Sequence, residues 1–248
     1  MKITICQFDI KWEHKPCNKD RITSLLRRLD DSDPSEWVIF PEMTLTGFSM
    51  NNKNTTLSKS DIDFFREIAL SRSLAVTFGG VIDGYNRSIT LDRKGRIIGR
   101  YSKMHLFTYA GEHKFYKPGN KIVNFKLNGF GITPFVCYDL RFPYLFNRKA
   151  RMTDIFPVIA NWPSMRIGQW TALLMARAIE NQAYVVGVNR IGKSPKLDYC
   201  GGSTVLGPDG RVLLDCGNKE GIFSIDILKE TVASTRRGFQ FLKDNKEA

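Results

Sequence analysis

The stretch Val136-Cys137-Tyr138-Asp139-Leu140-Arg141-Phe142-Pro143 is the most informative part of this sequence. It continues an apolar run, which predicts a buried strand that ends at the cysteine. The chain has 5 cysteines and no Cys-x-x-Cys pair, a pattern that argues against a disulfide framework and against a thiolate zinc site. The other cysteines fit the pattern of small buried hydrophobes, whereas Cys137 has charged and aromatic neighbours. Cys137 is therefore the candidate nucleophile.

Two more stretches follow predicted strands in the same way. Phe40-Pro41-Glu42-Met43 offers a carboxylate, and Tyr101-Ser102-Lys103-Met104-His105-Leu106-Phe107 offers an ammonium. Because active sites of α/β proteins usually lie at one edge of a sheet, we expect Glu42, Lys103 and Cys137 to converge there. A thiol is mostly protonated near neutral pH, so it needs a base or a positive environment to attack a carbonyl or nitrile carbon. Glu42 and Lys103 supply one of each.

Helix and strand signals alternate along the chain. The apolar residues of 22–29 have helical spacing, and Ser60-Asp61-Ile62-Asp63 has the spacing of a capping box before a helix over 64–71. The pattern over 74–137 changes to short strands and hairpins, and Asn128-Gly129 is a strong hairpin signal. This order is compatible with a sheet-on-sheet core that is covered by helices.

The composition is that of an ordinary globular protein. With 248 residues, of which 42% are hydrophobic and 25% charged, the chain is long enough for one sizeable core. We expect a single domain over 1–248 with a peripheral polar tail at about 229–248. No stretch approaches roughly 18 uncharged apolar residues and no signal-like segment is found, so we expect a cytoplasmic protein without a membrane partner.

The formal net charge of +12 raises the hypothesis of a nucleic-acid or anionic-membrane partner. The basic residues are scattered, and several basic stretches also hold acidic residues, which is typical of a solvated surface. We therefore expect a small-molecule substrate and no nucleic acid. A basic nucleic-acid-binding or partner-binding protein is the non-enzymatic alternative, and it depends on the three side chains failing to converge.

The Glu-Lys-Cys order and its flanking residues resemble the nitrilase, or carbon–nitrogen hydrolase, superfamily. Three downstream blocks agree, namely Gly111-Glu112-His113, Ala160-Asn161-Trp162-Pro163 and Arg177-Ala178-Ile179-Glu180-Asn181-Gln182. The resemblance runs from about Lys2 to Ile227. It implies an α/β fold with a four-layer α-β-β-α sandwich, a homodimer or higher homo-oligomer, and chemistry that needs no metal and no organic cofactor.

The resemblance also implies a role for each matching residue. Glu42 is the general base, and Cys137 is the nucleophile that forms a thioester. Lys103 and the backbone N–H of Tyr138 stabilise the oxyanion. A carboxylate is a poor base in water, so this role requires Glu42 to be enclosed beside the ammonium. Glu112 has a supporting role, and without the resemblance it would be interpreted as an exposed loop charge.

The downstream blocks are similar to the omega-amidase branch, whose members deamidate small dicarboxylate monoamides such as 2-oxoglutaramate. Such a substrate carries a carboxylate, and a guanidinium grips a carboxylate bidentately. Arg166 is therefore the candidate for substrate binding, with a surface charge at a helix start as the equal alternative. Phe48 and Trp162 are candidates for the pocket walls, and ordinary core packing is their alternative.

Other interpretations of these residues remain. The same triad serves a nitrilase or an N-carbamoyl or aliphatic amide hydrolase, which is the alternative enzymatic function. His105 or His113 can be imagined as a papain-like base for Cys137, although the Glu and Lys pattern matches far better.

Two charged pairs are expected to be structural. Asp139 and Arg141 are expected to form an ion pair or turn contacts that hold the loop of the cysteine. Arg177 and Glu180 lie three residues apart on a predicted helix, so we expect a helix or interface pair.

Overall fold

The computed structural model describes residues 1–29, 32 and 35–245. In chain order, the strands are β1 (Lys2–Gln7), β2 (Trp37–Ile39), β3 (Ala75–Ile82), β4 (Tyr85–Leu91), β5 (Ile97–Ser102), β6 (Phe125–Leu127), β7 (Phe130–Ile132), β8 (Phe135–Val136), β9 (Ile155–Ile159), β10 (Tyr184–Val188), β11 (Ile191–Lys193), β12 (Asp198–Cys200), β13 (Thr204–Leu206), β14 (Val212–Asp215) and β15 (Gly221–Asp226). The α-helices are α1 (Lys15–Leu26), α2 (Asn52–Thr55), α3 (Lys59–Arg72), α4 (Pro143–Asn147), α5 (Ile167–Asn181) and α6 (Lys229–Gly238). Short 3-10 helices span Thr108–Ala110, Glu112–Lys114, Cys137–Arg141, Ala150–Met152, Ser164–Arg166 and Phe241–Lys243. Within the described ranges, none of the helices combines the length and the apolar character that a bilayer crossing needs.

The described strands form two large sheets and one small hairpin. The first sheet has the order β15-β1-β2-β3-β4-β5, in which β1, β2 and β3 are parallel and the outer pairs are antiparallel. The second sheet has the order β14-β13-β10-β9-β7-β6, and β8 also pairs with β9. Its central strands β7, β8, β9 and β10 are parallel. The strands β11 and β12 form a separate two-stranded hairpin, and Ile191 of β11 also forms an isolated bridge with Asp9.

The central strands carry consecutive apolar residues because both faces of each sheet are covered. In β2, Trp37 and Ile39 belong to the core between the two sheets. Val38 and the following Phe40 belong to a second core on the opposite face. A strand that is buried on both faces loses the alternation of apolar and polar residues, which explains why this segment is a short continuous apolar run.

Helices cover the outer face of each sheet. α1 and α3 cover the first sheet, where Phe65 stacks on Phe78 with ring centroids 3.9 Å apart. α4 and α5 cover the second sheet, and Phe146 and Trp170 from these helices belong to the same hydrophobic cluster as its strands. The layers therefore follow the order helix, sheet, sheet, helix, and the predicted four-layer α-β-β-α sandwich is confirmed.

The helix α3 begins earlier than the sequence pattern predicts. Its N-cap is Ser58, whose hydroxyl accepts from Asp61 N (3.2 Å), while Asp61 Oδ2 accepts from Ser58 N (2.9 Å). The predicted capping box at Ser60-Asp61-Ile62-Asp63 is therefore wrong. Asp61 also binds Lys15 (2.8 Å) and Lys19 (2.7 Å) of α1. These contacts between α1 and α3 favour the capping box that Ser58 forms with Asp61.

The hairpin signal at Asn128-Gly129 is confirmed. These residues connect β6 and β7, and both have positive φ angles, 47° and 82°. Two consecutive residues with positive φ are what a tight type I′ hairpin turn requires, and Asn-Gly is the pair that adopts them most easily.

The predicted polar tail contains the helix α6. Val232 on this helix is buried and joins the core. The guanidinium of Arg236 donates to the carbonyl oxygens of Thr153 (2.7 Å) and Ala150 (3.0 Å). These contacts tie α6 to the segment that precedes β9. Residues 246–248 of the predicted tail lie outside the described residues.

Strands of both sheets deliver polar side chains to one edge of the sandwich. Glu42 follows β2 and Lys103 follows β5, while Asn86 lies at the start of β4, which is antiparallel to β5. Cys137 follows β8 and Asn161 follows β9 in the second sheet. The carboxyl ends of parallel strands are the usual position of active sites in α/β folds, so the site is expected at this edge.

Candidate active site

Cys137 lies at a sharp turn between β8 and a 3-10 helix. Its φ is +49°, which is uncommon for a residue other than glycine. Such a conformation persists only where the surrounding structure imposes it. Here the Asp139 carboxylate accepts from the backbone N–H of Val136 (3.2 Å), which closes the turn around the cysteine. The turn places the thiol at the floor of a cleft.

Asp139 links this turn to the segment that carries Lys103. Its carboxylate accepts from the hydroxyl of Tyr101 (2.9 Å) and from the backbone N–H of His105 (2.8 Å). Of the two expectations for Asp139, turn contacts are what the structure shows. Arg141 instead donates to Gln169 Oε1 (2.6 Å).

Arg177 supports the same turn from the helix α5. Its Nε and Nη2 donate to the carbonyl oxygen of Leu140 at 3.1 and 2.8 Å. Its Nη1 binds Glu180 Oε1 at 3.0 Å, so the expected pair on the helix is present. The guanidinium thereby anchors the end of the 3-10 helix that begins at Cys137.

Lys103 is enclosed by two carboxylates. Its Nζ lies 3.1 Å from Glu42 Oε1, 2.9 Å from Glu112 Oε2 and 3.1 Å from Glu112 Oε1. All three side chains are shielded from solvent. Burial disfavours the ammonium, but the carboxylates of Glu112 and Glu42 outweigh it and raise the pKa of Lys103 above its ordinary value. Lys103 therefore stays charged inside the protein.

Two asparagines that the sequence analysis did not assign to the site complete its hydrogen bonds. Asn86 Nδ2 donates to Glu42 Oε1 (2.8 Å) and to Glu112 Oε1 (3.0 Å). Asn161 donates its backbone N–H to Glu42 Oε2 (2.9 Å) and its Nδ2 to the carbonyl oxygen of Glu42 (2.7 Å). Asn161 lies in the block Ala160-Asn161-Trp162-Pro163, which the sequence does single out. Asn86 carries no comparable signal.

The thiol of Cys137 faces this charged cluster. Burial, followed by the carboxylate of Glu42, raises the pKa of Cys137 well above its ordinary value, and Glu112 adds to the effect. The ammonium of Lys103 and the backbone N–H of Asn161 act in the opposite direction. The resting cysteine is therefore a neutral thiol beside an enclosed carboxylate, an arrangement in which the carboxylate can take the proton of the thiol.

The cleft above Cys137 has a volume of about 260 Å³. Its walls include Phe48, Tyr138, Trp162 and Arg166. The ring centroid of Phe48 is 5.0 Å from Lys103 Nζ, so Phe48 closes the cleft over the ammonium. The volume lies just below the range of about 300–1,000 Å³ that is typical of pockets for drug-sized ligands. The cleft therefore suits a small substrate.

The charges on the cleft wall are positive. Arg141, Arg166 and Lys196 line it, and no acidic side chain belongs to the lining within the described part of the chain. The guanidinium of Arg141 lies 4.9 Å from the ring centroid of Trp162, and that of Arg166 lies 5.6 Å from the ring centroid of Phe107. Arg141 was expected to hold the loop of the cysteine, but its side chain lines the cleft. This wall suits a substrate with a carboxylate.

The histidines of the sequence analysis do not act on the thiol. His105 Nδ1 lies 3.2 Å from Asp139 Oδ1, and its Nε2 lies 2.6 Å from the hydroxyl of Tyr144. Both ring nitrogens are therefore engaged away from Cys137, and His113 is exposed. Among the residues that the structure describes, no group of three or more His, Cys, Asp or Glu side chains is placed to hold a metal ion.

The sequence and the fold of this chain are similar to those of known proteins. A family model described as carbon–nitrogen hydrolase matches residues 2–237. The chain is 36% identical to the omega-amidase YafV of Escherichia coli K12 over 218 residues, which cover 86% of this chain and 84% of the relative. It is 29% identical to the 2-oxoglutaramate amidase of Bacillus subtilis over 251 residues, which cover 98% and 96% of the two chains. The crystal structure of a CN-hydrolase superfamily protein from Xanthomonas campestris superposes with a TM-score of 0.92 at 30% identity, covering 98% and 96% of the two chains.

Proposed function

Because this chain belongs to the carbon–nitrogen hydrolase family, we propose that it is an omega-amidase that needs no cofactor. It hydrolyses the terminal amide of small dicarboxylate monoamides, such as 2-oxoglutaramate, to the acid and ammonia. The observation that carries the proposal is the enclosed cluster of Glu42, Lys103 and Glu112 beside the thiol of Cys137. The similarity to an omega-amidase and to a 2-oxoglutaramate amidase supports the substrate class.

In the first step, Glu42 takes the proton of the Cys137 thiol and the sulfur attacks the amide carbon. A carbon–sulfur bond forms, and the electron pair of the C=O double bond moves to the oxygen. Tyr138 lies at the start of a 3-10 helix, where backbone N–H groups have no acceptor within the helix. This N–H and the charge of Lys103 stabilise the oxyanion.

In the second step, the oxyanion collapses and the carbon–nitrogen bond breaks. The proton held by Glu42 moves to the leaving nitrogen, so ammonia departs and a thioester of Cys137 remains. Glu112 holds the ammonium of Lys103 in place through both of its carboxylate oxygens. Because Lys103 has partners on both sides, its charge is fixed before the oxyanion forms.

In the third step, Glu42 takes a proton from water, and the resulting hydroxide attacks the thioester carbon. The carbon–sulfur bond breaks, the sulfur recovers a proton from Glu42, and the acid leaves. The aromatic wall of Phe48 over Lys103 limits the solvent around these charges. Electrostatic interactions are stronger in such an enclosed site than in water.

The carboxylate end of the substrate is held by Arg166. This residue lines the cleft, where its guanidinium lies 5.6 Å from the ring centroid of Phe107. Phe48 and Trp162 form apolar walls on which the carbon chain of the substrate rests. The cationic wall distinguishes this proposal from a nitrilase or a simple aliphatic amide hydrolase, whose substrates need no carboxylate.

We also propose a homodimer that works in the cytoplasm. Ile179 on α5 is 47% exposed and Phe239 after α6 is 67% exposed, and apolar side chains on the outer helices favour contact with a second copy. The cysteines are free thiols, as expected in a reducing compartment. Light scattering after size-exclusion chromatography tests the dimer, and a monomer at micromolar concentration contradicts it.

The central experiment measures ammonia release from 2-oxoglutaramate, with glutamine, a simple aliphatic amide and a nitrile in parallel. We expect a preference for 2-oxoglutaramate that Cys137→Ala abolishes and that Cys17→Ala leaves intact. Cys17 is exposed, so the prediction of a buried position is wrong for this cysteine. Activity on another compound alone would retain the mechanism and discard the substrate. Activity that survives Cys137→Ala would discard both.

A further inference from the structure

We infer that Asn86 is a positioning residue that holds Glu42 and Glu112 together through the two N–H groups of one amide, and so leaves Glu42 Oε2 as the oxygen that exchanges protons with Cys137. This inference rests on the proposed function, because it assigns the proton transfer to Glu42. It adds a residue that lies outside the Glu-Lys-Cys set and donates to both carboxylates of the cluster around it.

Asn86 contacts both buried carboxylates and the backbone of Lys103. Its Nδ2 is 2.8 Å from Glu42 Oε1 and 3.0 Å from Glu112 Oε1. Its backbone carbonyl oxygen accepts from the backbone N–H of Lys103 at 2.9 Å. The side chain is fully buried. One residue of β4 therefore fixes the separation of the two carboxylates and the position of the lysine between them.

The orientation of the Asn86 amide is fixed by these carboxylates. An amide nitrogen carries two hydrogens, and each of them is donated to one carboxylate. The opposite end of the amide, Oδ1, is buried and has no hydrogen-bond partner within the described part of the chain. In the flipped orientation, Oδ1 would face two carboxylate oxygens, which cannot donate a hydrogen bond to it. The amide therefore takes the orientation that donates two hydrogen bonds, even though this leaves Oδ1 without a partner.

The two oxygens of Glu42 differ in their remaining capacity to accept a proton. A carboxylate oxygen has two lone pairs. Oε1 accepts from Asn86 (2.8 Å) and Lys103 (3.1 Å), which occupies both. Oε2 accepts one short bond, from the backbone N–H of Asn161 (2.9 Å), and the Nδ2 of Asn161 is more distant at 3.4 Å. Asn161 follows β9, whose Ile159 pairs with Val136 next to Cys137, and both Asn161 and Cys137 line the cleft. The open position at Oε2 is therefore on the side of the second sheet, which carries the nucleophile.

A neutral donor is what this position requires. The titratable groups that face the amide are Glu42 and Glu112, with Lys103 between them, and Cys137 and Tyr116 interact with the same carboxylates. Without the two N–H groups, the carboxylates share only the ammonium of Lys103, so their two negative charges are less well stabilised. A carboxylate in place of the amide adds a third negative charge and strengthens this effect.

The test compares pH profiles of kcat/KM and values of kcat and KM for 2-oxoglutaramate. For Asn86→Leu we expect kcat to fall by about 10²-fold, KM to change much less, and the acid limb of the profile to move to higher pH. Asn86→Asp, which differs from the wild type in one heavy atom, is expected to move the acid limb further. Ser88→Ala is the matched control, because Ser88 is buried two residues along the same strand and its hydroxyl has no partner within the described residues.

The outcomes separate this inference from the proposed function. An acid limb that stays in place in Asn86→Asp, with or without a loss of kcat, shows a merely structural role and overturns the inference. If Asn86→Leu does not fold, the acid limb of the pH profile of Asn86→Asp tests the inference on its own. Activity retained in Glu42→Gln would instead overturn the proposed function. A crystal structure of the Cys137→Ser variant with bound amide checks the oxygen directly: we expect the introduced hydroxyl within hydrogen-bond distance of Glu42 Oε2, and contact with Oε1 alone would contradict it.

Discussion

The ammonium of Lys103 lies closer to Glu112 than to Glu42. Its Nζ is 2.9 Å from Glu112 Oε2 and 3.1 Å from Glu42 Oε1. Glu112 Oε2 also accepts from the backbone N–H of Phe107 (2.6 Å), and the side chain is fully buried. The interpretation of Glu112 as an exposed loop charge is therefore wrong. Glu112 is a main partner of the lysine within the buried cluster.

Removing the Glu112 carboxylate is expected to weaken catalysis. Glu112→Gln keeps the shape but leaves Lys103 with half of its counter-charge, and we expect kcat to fall by roughly 10²-fold. Steady-state kinetics on 2-oxoglutaramate measure this. Glu67→Gln, on an exposed carboxylate of α3, is the control that should leave kcat unchanged. Equal kinetics for the two variants would remove Glu112 from the mechanism.

Replacing Arg166 tests the carboxylate end of the substrate. A hydrogen bond to a charged group contributes about 1.5–3 kcal/mol, so Arg166→Ala should raise KM for 2-oxoglutaramate by roughly 10- to 100-fold. The KM for a simple aliphatic amide should hardly change, because that substrate has no carboxylate. Arg93→Ala, at an exposed arginine outside the cleft, serves as the matched control. An equal rise in KM for both substrates would indicate that Arg166→Ala damages the packing of the cleft.

The raised pKa of Cys137 predicts that the resting enzyme holds little thiolate at neutral pH. Ultraviolet thiolate absorbance, with Cys137→Ser as the blank, should show the thiol titrating only in alkaline solution. Because the carboxylate of Glu42 raises the pKa of Cys137, Glu42→Gln should move this titration to lower pH while abolishing turnover. A midpoint that moves upward would contradict the arrangement of charges described above.

Asp61 is expected to make stability depend on acid. Lys15, Lys19 and the backbone N–H of Ser58 outweigh the effect of burial and lower the pKa of Asp61 from 3.8 to about 2. A lowered pKa stabilises the fold above the unfolded value, and this stabilisation is lost as pH falls from about 4 to about 2. Asp61→Asn should therefore cost about 1–2 kcal/mol in the free energy of unfolding at neutral pH.

Urea unfolding at several pH values measures this cost. The difference between wild type and Asp61→Asn should shrink steadily below pH ~4 and vanish near pH ~2. Asp20→Asn, at an exposed position of α1, should show no such dependence. A difference that stays constant with pH would assign the effect of Asp61 to helix capping alone.

The sequence predicts those parts of the site that have distinctive neighbours. Cys137, Glu42 and Lys103 each lie after an apolar run. Their order along the chain and their neighbouring residues are the basis of the resemblance to the nitrilase superfamily. Asn86 has no such context, because a single asparagine at the start of a strand gives no sign of what its amide will face. Its role depends on Glu42 and Glu112, which come from distant parts of the chain.

The wrong capping box has the same kind of cause. Both Ser58 and Ser60 have an aspartate three residues later, so the local pattern offers two overlapping boxes. The choice falls on Asp61 because Lys15 and Lys19 on another helix bind it. Arg141 illustrates the point for function, since its guanidinium reaches the cleft wall beside the ring of Trp162, which follows a different strand.

The active site draws its residues from both sheets of the sandwich: Glu42 and Lys103 follow strands of the first sheet, and Cys137 and Asn161 follow strands of the second. Neither sheet alone can bring the thiol to its base. Recovery of amidase activity during refolding should therefore report the docking of the two sheets and lag behind signals from secondary structure. Amidase activity is therefore a measure of tertiary assembly. It is absent from any folding intermediate in which the two sheets have not yet packed together.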